Sequence, residues 1–204
     1  MHYQHVRNDA FARLERVFTG ANLVAESAMR RWTHGPVQLQ LEDIQELPLA
    51  DVHAAIDLSD EPATAVTLSF QGDLGGALIL LFGKEDGQRL AAMLTGRSLK
   101  FAHWEELEKS ALAETGNLLA CAYAQALAEA VERPLLPSTP LLVQGCGAYV
   151  LQEALKGQNF LSDVVVVCRT GCRYEGTQIH WWLLFIPAEP LCALLEEAEA
   201  CFST

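Results

Sequence analysis

The spacing of apolar and polar residues predicts four helices. Apolar positions recur at helical spacing in two long segments and two shorter ones, which indicates helices with one buried face. Proline or a glycine-proline pair stops each long segment. Gly96 is placed to cap the first short helix at its C-terminus. The predicted helices cover about 9–32, 85–96, 104–132 and 189–202.

Extended segments are predicted between these helices. Runs of β-branched and large apolar residues, bounded by turn residues, are typical of strands. Three such segments follow the first long helix and three follow the second. They cover about 37–49, 63–70, 75–82, 140–151, 159–169 and 177–187.

The second half of the chain repeats the order of the first. Landmarks recur about 100 residues apart: Glu15 with Glu114, and the string LILLF with WWLLF. A repeat of this length indicates a duplicated domain. We therefore expect one domain over 1–204, with an internal repeat of about 9–97 and 103–202. Helices and hairpin-linked strands predict an α+β fold in which both halves share an antiparallel sheet and two long helices lie on one side.

Composition and charge exclude several classes of partner. The 204 residues are half hydrophobic and carry a net charge of −12, with a pI near 4.8. A nucleic-acid groove needs a basic stripe, and docking on anionic lipid needs basic residues too, so neither is expected. The apolar runs are too short to cross a bilayer. The N-terminus has no apolar secretory core, and a cytoplasmic location is expected.

The cysteines and histidines do not predict a metal site. Six cysteines are present, and Cys168 and Cys172 form a C-x3-C pair. No second cysteine or histidine pair has the spacing needed to complete a zinc site. Free cysteine commonly packs as a small hydrophobe, so a structural or incidental role is expected for the six.

A polar stripe on the second long helix is the strongest candidate for chemistry. Ser110, Glu114 and Asn117 fall within about 60° of one another around the helix axis. Leu112 and Leu119 occupy another side. One face therefore packs inward while a carboxylate and an amide point outward side by side. Taken alone, these two side chains favour an ordinary solvated helix face over a functional site.

Small residues flank this stripe. They are expected to let a partner protein approach the helix backbone closely. These residues are Ala113, Gly116, Ala120 and Ala124.

A longer motif connects the stripe with a proline further along the chain. Ser110-x3-Glu114-x2-Asn117-x22-Pro140 resembles the signature of the CheC/CheX/FliY family of chemotaxis phosphatases. Residues 72–96 and 105–119 also look like CheC. All four positions occur at the family's spacing on the expected elements. The resemblance covers nearly the whole chain, including its duplicated, CheC-like architecture.

This resemblance implies a function for each motif residue. CheC-like proteins dephosphorylate CheY, the phosphorylated response regulator of chemotaxis. Asn117 would orient the water that attacks the aspartyl phosphate, and Glu114 would pair with a lysine of the regulator. Ser110 would support the helix or the interface, and Pro140 would fix the start of the next strand. Mg²⁺ is expected on the partner receiver domain, and no cofactor on this chain.

The chemistry of the reaction agrees with these roles. An acyl phosphate is already reactive, so the catalyst need not supply a nucleophile. Phosphoryl transfer depends mostly on positioning and electrostatic stabilisation, and a water-orienting amide is a recurring component. Asparagine donates and accepts hydrogen bonds at once and does not titrate. The resemblance, with which this chemistry agrees, therefore implies a hydrolase acting on a receiver protein.

The first half departs from the family motif. Aligned with the second half, it keeps Glu15 at the glutamate, but Phe11 replaces Asp or Ser, Phe18 replaces the asparagine and Leu41 replaces the proline. A phenyl ring cannot orient water, so we expect a single active site. Phe11 and Phe18 are candidates for an apolar contact used in self-association or with another partner. Alternatively, the tail at 1–8 covers both rings.

Two other functions are compatible with the sequence. A non-catalytic adaptor would use the same helix face to bind phosphorylated receiver domains, or a CheD-like deamidase. A flagellar switch component, as in FliY, is ranked lower because that family normally carries an additional C-terminal switch domain. The presence of both Glu114 and Asn117 favours the enzyme.

Overall fold

A computed structural model describes residues 2–56, 61–97, 105–156 and 163–200, with side chains from 12 to 195 within those ranges. The helices are α1 His2–Thr33, α2 Val52–Ala55, α3 Lys84–Thr95, α4 Glu106–Val131, α5 Gly147–Lys156 and α6 Glu189–Ala200. The strands are β1 Gln38–Pro48, β2 Pro62–Gln71, β3 Gly76–Gly83, β4 Leu136–Pro137, β5 Leu141–Cys146, β6 Val164–Tyr174 and β7 Thr177–Pro187.

The seven strands form one antiparallel sheet. Its order is β1-β6-β7-β3-β2, and both β5 and β4 pair with β2. The hairpins β2–β3 and β6–β7 lie in the middle of the sheet and are joined where β3 pairs with β7. The predicted α+β class with an antiparallel sheet is confirmed.

The strand order is symmetric with respect to the two halves of the chain. The first half supplies β1, β2 and β3, and the second supplies β5, β6 and β7. β1 pairs with β6 in the second half, and β5 pairs with β2 in the first. Exchanging the halves therefore leaves the order unchanged. This symmetry supports the internal repeat, which stays a prediction.

Helices cover both faces of the sheet. α1 and α4 pack against each other on one face, where α3 and α6 complete the larger part of the core. α2 and α5 cover the opposite face with a smaller cluster. The central strands are buried on both faces, which explains their near-continuous apolar runs, such as Ala77–Phe82 and Val165–Cys168. The expected placement of both long helices on one side of the sheet is confirmed.

The largest difference from the prediction lies after β5. Residues 140–151 were expected to be extended, but the strand ends at Cys146 and α5 begins at Gly147. Val150, Leu151 and Ala154 share one side of α5 and are buried against the sheet. Their helical spacing overrides the strand preference of the valine and the tyrosine in this segment. α2, at the corresponding place in the first half, was not predicted either.

Most predicted boundaries agree with the structure within a few residues. Gly96 ends α3 in the left-handed conformation, with φ of 66°, as its predicted C-cap role requires. Parts of three predicted segments, at 104, 159–162 and 201–202, lie outside the described residues. No helix in the described part of the chain is long and apolar enough to cross a membrane.

Candidate functional site

α4 is held against the sheet by a close contact in its middle. Gly116 faces Val66 of β2, and a Cβ added to Gly116 would overlap Val66 Cγ1. Leu112, Leu119 and Tyr123 are buried on the same side of the helix. The helix therefore rests on the strand at Gly116, and this contact fixes which residues face away from the sheet.

The predicted polar stripe lies on the outward face of α4. Ser110 and Glu114 are exposed, and Asn117 is half-buried. Cys121 follows one turn later and is exposed, with its Sγ 3.9 Å from Asn117 Oδ1. This is a weak hydrogen bond to the side chain expected to orient water. The structure thus places the carboxylate and the amide on the same outward face of α4.

The negative charge of Glu114 acts electrostatically on Cys121, which lies further along the same stripe. Partial burial raises the pKa of the Cys121 thiol, and the negative charge of Glu114 raises that pKa further. The thiol is therefore less ionised at neutral pH than that of an ordinary exposed cysteine. It acts as a neutral neighbour of Asn117 under those conditions.

The small residues of α4 have a different role from the one expected. Gly116, Ala120 and Ala124 are buried, and only Ala113 is half-exposed. The expectation that all four let a partner approach the helix is therefore wrong for three of them. Their small size allows α4 to pack closely against the neighbouring elements of the core, α1 and β2.

Pro140 lies immediately before β5, where the motif places it. β5 and the short β4 run along the edge of the sheet at β2, and both contact α4. Leu141, the first residue of β5, is 66% exposed, and Leu136 of β4 is 63% exposed. Two leucines therefore lie uncovered on the strands that neighbour α4.

An ion-pair cluster holds the N-terminal end of α4. Arg97 Nη1 lies 2.6 Å from the Glu105 carboxylate and 3.1 Å from that of Glu108. Glu108 is almost fully buried, and its Oε2 has no hydrogen-bond partner among the described residues. The two carboxylates raise the pKa of Arg97, first through the hydrogen bond to Glu105. The arginine thus ties the end of α3 to the first turn of α4, just before Ser110.

The chain is similar in sequence to two curated proteins. It is 28% identical to CheC1 of Halobacterium salinarum over 129 residues, which are 63% of this chain and 65% of that protein. It is 23% identical to the CheY-P phosphatase CheC of Bacillus subtilis over 147 residues, 71% of this chain and 70% of that protein. The first match thus spans slightly less than two thirds of the relative's length. No protein-family model matches the chain.

Solved structures share the fold. FliY of Thermotoga maritima superimposes with a TM-score of 0.73 at 15% identity, covering 94% of this chain and 96% of that one. The FliM middle domain of H. pylori gives 0.69 at 9% identity, covering 93% and 98%. CheX of Desulfovibrio desulfuricans gives 0.51 at 11% identity, covering 84% and 99%. The resemblance to the CheC/CheX/FliY family is confirmed.

The first half of this CheC-like fold does not present the surface that we expected. Phe18 is fully buried and packs edge-on against Tyr123 and Phe185, with ring centroids 5.0 Å and 5.6 Å away. The hypothesis that Phe18 contacts another protein is therefore wrong. It is a core residue at the junction of α1, α4 and the sheet. The side chain of Phe11 lies outside the described residues, and its contact role stays a prediction.

The remaining first-half positions lie beside a surface cleft. Glu15 is exposed on α1, and Leu41 is partly buried on β1. Both line a cleft of about 450 Å³ between these two elements. The first half therefore keeps a concave surface next to the positions aligned with Glu114 and Pro140.

A buried polar contact that the sequence pattern did not predict joins the two long helices. The Tyr123 hydroxyl donates a 2.6 Å hydrogen bond to Asn22 Oδ1, and both residues are nearly inaccessible. Burial raises the pKa of Tyr123 well above its ordinary value, so the phenol remains a donor. An asparagine within an apolar helix face was the available signal, because buried amides need partners.

The cysteine pair of β6 is buried. Cys168 and Cys172 lie on the face of the sheet that α1 and α4 cover, where burial raises the pKa of both thiols, that of Cys172 to about 12. No group of three potential metal ligands occurs among the residues that the structure describes.

Proposed function

We propose that the chain hydrolyses the aspartyl phosphate of a CheY-type receiver protein. The observation that carries the proposal is the accessible Glu114–Asn117 pair on the outward face of α4. The names of both curated relatives include CheY-P phosphatase, and their similarity supports the same reaction here. The wider fold group adds support only for the architecture, because its members are at most 15% identical among the structures compared.

Asn117 is the proposed water-orienting residue. Its carboxamide can accept a hydrogen bond from water through Oδ1 and donate one through Nδ2 to a phosphoryl oxygen. Half-burial limits its rotamers, so the amide is held before the receiver docks. The attacking group is water, the bond that breaks joins phosphorus to the receiver's carboxylate oxygen, and inorganic phosphate leaves. No nucleophile from this chain is needed.

Glu114 is the proposed docking residue. It lies on the same side of the helix, one turn before Asn117, and is exposed. A carboxylate here can pair with a lysine beside the receiver's phosphorylation site, which places Asn117 over the phosphate. Ser110 extends the docking face and Pro140 sets the start of β5. Mg²⁺ bound by the receiver would neutralise charge on the phosphoryl oxygens.

Catalysis is assigned to the second half alone. In the first half the position aligned with Asn117 is the buried Phe18. A buried phenyl group neither reaches a docked receiver nor orients water. One receiver molecule is therefore expected to be dephosphorylated per chain at a time.

A binding role without hydrolysis is the second candidate. Relatives of the same fold have been solved in complexes, FliM with FliG and FliM with SpeE, both from H. pylori. The fold that those proteins share with this chain is therefore compatible with stable association. An adaptor would use the α4 face to bind a phosphorylated receiver or a CheD-like deamidase and would not accelerate phosphate loss.

The decisive experiment follows phosphate loss from a phosphorylated CheY-type receiver with wild-type protein, Asn117→Ala and Gln125→Ala. Gln125 lies on the same face two turns further along and is exposed, so it is the matched control. Accelerated loss with wild type and Gln125→Ala, and none with Asn117→Ala, supports the assigned mechanism. Unaccelerated loss with all three, together with binding of the phosphorylated receiver, would establish the adaptor instead.

A further inference from the structure

The α1–β1 cleft carries features of a binding site that the proposed phosphatase reaction does not use. Its volume of about 450 Å³ lies within the range of ligand pockets. It lies on the first half of the chain, on the part of α1 that precedes Val24. Because the reaction is assigned to α4, any ligand bound here needs a separate explanation.

A buried amide in the cleft lacks a partner. Asn22 lines the cleft and is only 4% exposed. Its Oδ1 accepts the hydrogen bond from Tyr123, but its Nδ2 has no partner among the described residues. Leaving a buried donor without a partner is energetically unfavourable. This donor is itself buried, so a ligand's carbonyl oxygen would reach it only if the Asn22 side chain moved towards the cleft.

One carboxylate at the cleft is also available. Glu42 is engaged by Arg169 at 3.2 Å, and Asp43 accepts a 2.6 Å hydrogen bond from Gln45. Glu15 is exposed, and no cation pairs with it in the described part of the chain. A positive group on a ligand would therefore be attracted to Glu15. Its location on the helix wall sets where that charge must lie.

The strand wall of the cleft is the free edge of the sheet. Among the strands that the structure describes, β1 has a neighbour on one side only. Two outward backbone groups here are bound by α1. Leu39 N–H of β1 donates to Glu26 at 2.8 Å, and the C=O of Val37, the residue before β1, accepts from Arg30 at 2.6 Å. By the alternation of an antiparallel ladder, Leu41 presents its peptide groups to the same side, within the cleft.

We propose that this cleft binds an extended peptide segment of a partner protein that carries a lysine or arginine side chain. The segment pairs its backbone with β1 at Leu41, as in strand addition at a sheet edge. One of its carbonyl groups accepts from Asn22 Nδ2, and its cationic side chain pairs with Glu15. Leu39 and Ile44 also line the cleft, and the peptide side chains on either side of the cationic residue contact them. A bare cation or a free amino acid would satisfy only part of this arrangement.

The test is an NMR titration of the full chain with the peptide N-acetyl-Leu-Arg-Leu-amide. Its control replaces arginine with citrulline, which has nearly the same shape but no charge. The readouts are the side-chain amide of Asn22 and the backbone amide of Leu41. We expect saturable shifts of both signals with the arginine peptide and weaker binding of the citrulline peptide. A peptide whose backbone nitrogens are methylated should cause no shifts.

Two variants test the assigned charge. Glu15→Gln should weaken the arginine peptide about threefold, the effect of losing one exposed ion pair, and leave the citrulline peptide unchanged. Glu85→Gln on α3 makes the same change in net charge at an exposed site away from the cleft and should have no effect. Neither substitution should alter phosphate loss from the receiver, so this proposal and the proposed function fail independently.

Three results would overturn the proposal. The first is an absence of shifts at millimolar peptide, with Asn22 Nδ2 in contact with a long-lived water instead. The second is an equal response to MgCl2 or free arginine, which would show a cation site without peptide recognition. The third is a set of shifts confined to residues outside the cleft.

Discussion

Gly116 of α4 lies directly against Val66 of β2, at a distance that leaves no room for a Cβ atom. Asn117 is the next residue, so this packing contact sets the position of the proposed water-orienting amide. The stability of the core and the geometry of the site are therefore linked through one pair of residues.

Gly116→Ala should destabilise the protein and slow dephosphorylation. The added methyl group overpacks the contact, at a cost of about 1–3 kcal/mol, against a gain in helix propensity of about 1 kcal/mol. The variant Val66→Ala removes the obstructing methyl groups, so Gly116→Ala should be neutral or stabilising in that background. Urea unfolding of the four proteins measures the coupling. Equal effects of Gly116→Ala in both backgrounds would show that the contact is not limiting.

Glu114→Gln should slow dephosphorylation about tenfold, because it replaces a charge-assisted contact with a neutral one. The loss should appear mainly at low receiver concentration and low salt, where electrostatic docking matters most. Glu129→Gln, an exposed change on the same helix beyond the stripe, is the control. Equal rates for the two variants across a salt series would remove Glu114 from the docking surface.

Alkylation of Cys121 should require a higher pH than alkylation of an unperturbed cysteine. The thiolate is the reactive form, and partial burial together with Glu114 raises the pKa of this thiol. At a given pH below that pKa, less thiolate is present and iodoacetamide should react more slowly. Glu114→Gln removes the electrostatic contribution to the raised pKa and should speed the alkylation.

Peptide mass spectrometry separates the Cys121 adduct from that of Cys146, which is also exposed. The adduct should block receiver dephosphorylation because it lies beside Asn117.

Phe18→Ala should cost about 3–5 kcal/mol of unfolding free energy, because it removes a fully buried ring. Phe18→Leu keeps most of the volume and should cost less than about 1.5 kcal/mol. The leucine variant should also retain full phosphatase activity per folded molecule, since the first half is not expected to catalyse the reaction. Thermal unfolding combined with phosphate-loss rates measures both quantities. A stable Phe18→Ala variant with altered self-association would restore the surface hypothesis.

The sequence was most informative where local pattern and family spacing agreed. Ser110, Glu114 and Asn117 were expected on one outward helix face, and the structure places them there. Their chemical roles remain proposals, because exposure and proximity are compatible with more than one function. The strand order could not be read from periodicity, since alternation along a strand says nothing about which strand is its neighbour.

The predictions that the structure contradicts concern residue types that are compatible with two different structural roles. Phe18 was expected at the surface because it aligns with Asn117 when the two halves are compared. Its packing against Tyr123 is a tertiary contact between residues far apart in the sequence, which the alignment does not reveal. The small residue Gly116 was interpreted as room for a partner, whereas it gives room to Val66. Helix α5 was missed because Val150 and Leu151 suit a strand as well as a helix, and burial against the sheet decided between them.

The pairing of β1 with β6 also constrains how the protein forms during synthesis. Pro48 lies opposite Val164, and Gln38 opposite Arg173, so the partner of the first strand leaves the ribosome late. Contacts between such distant segments slow folding, because a long loop must close before they form. Until then, β1 is an unpaired strand with apolar positions on one side. Because α1 contacts β1 and is synthesised before it, we expect α1 to cover this strand until the second half of the chain has been made.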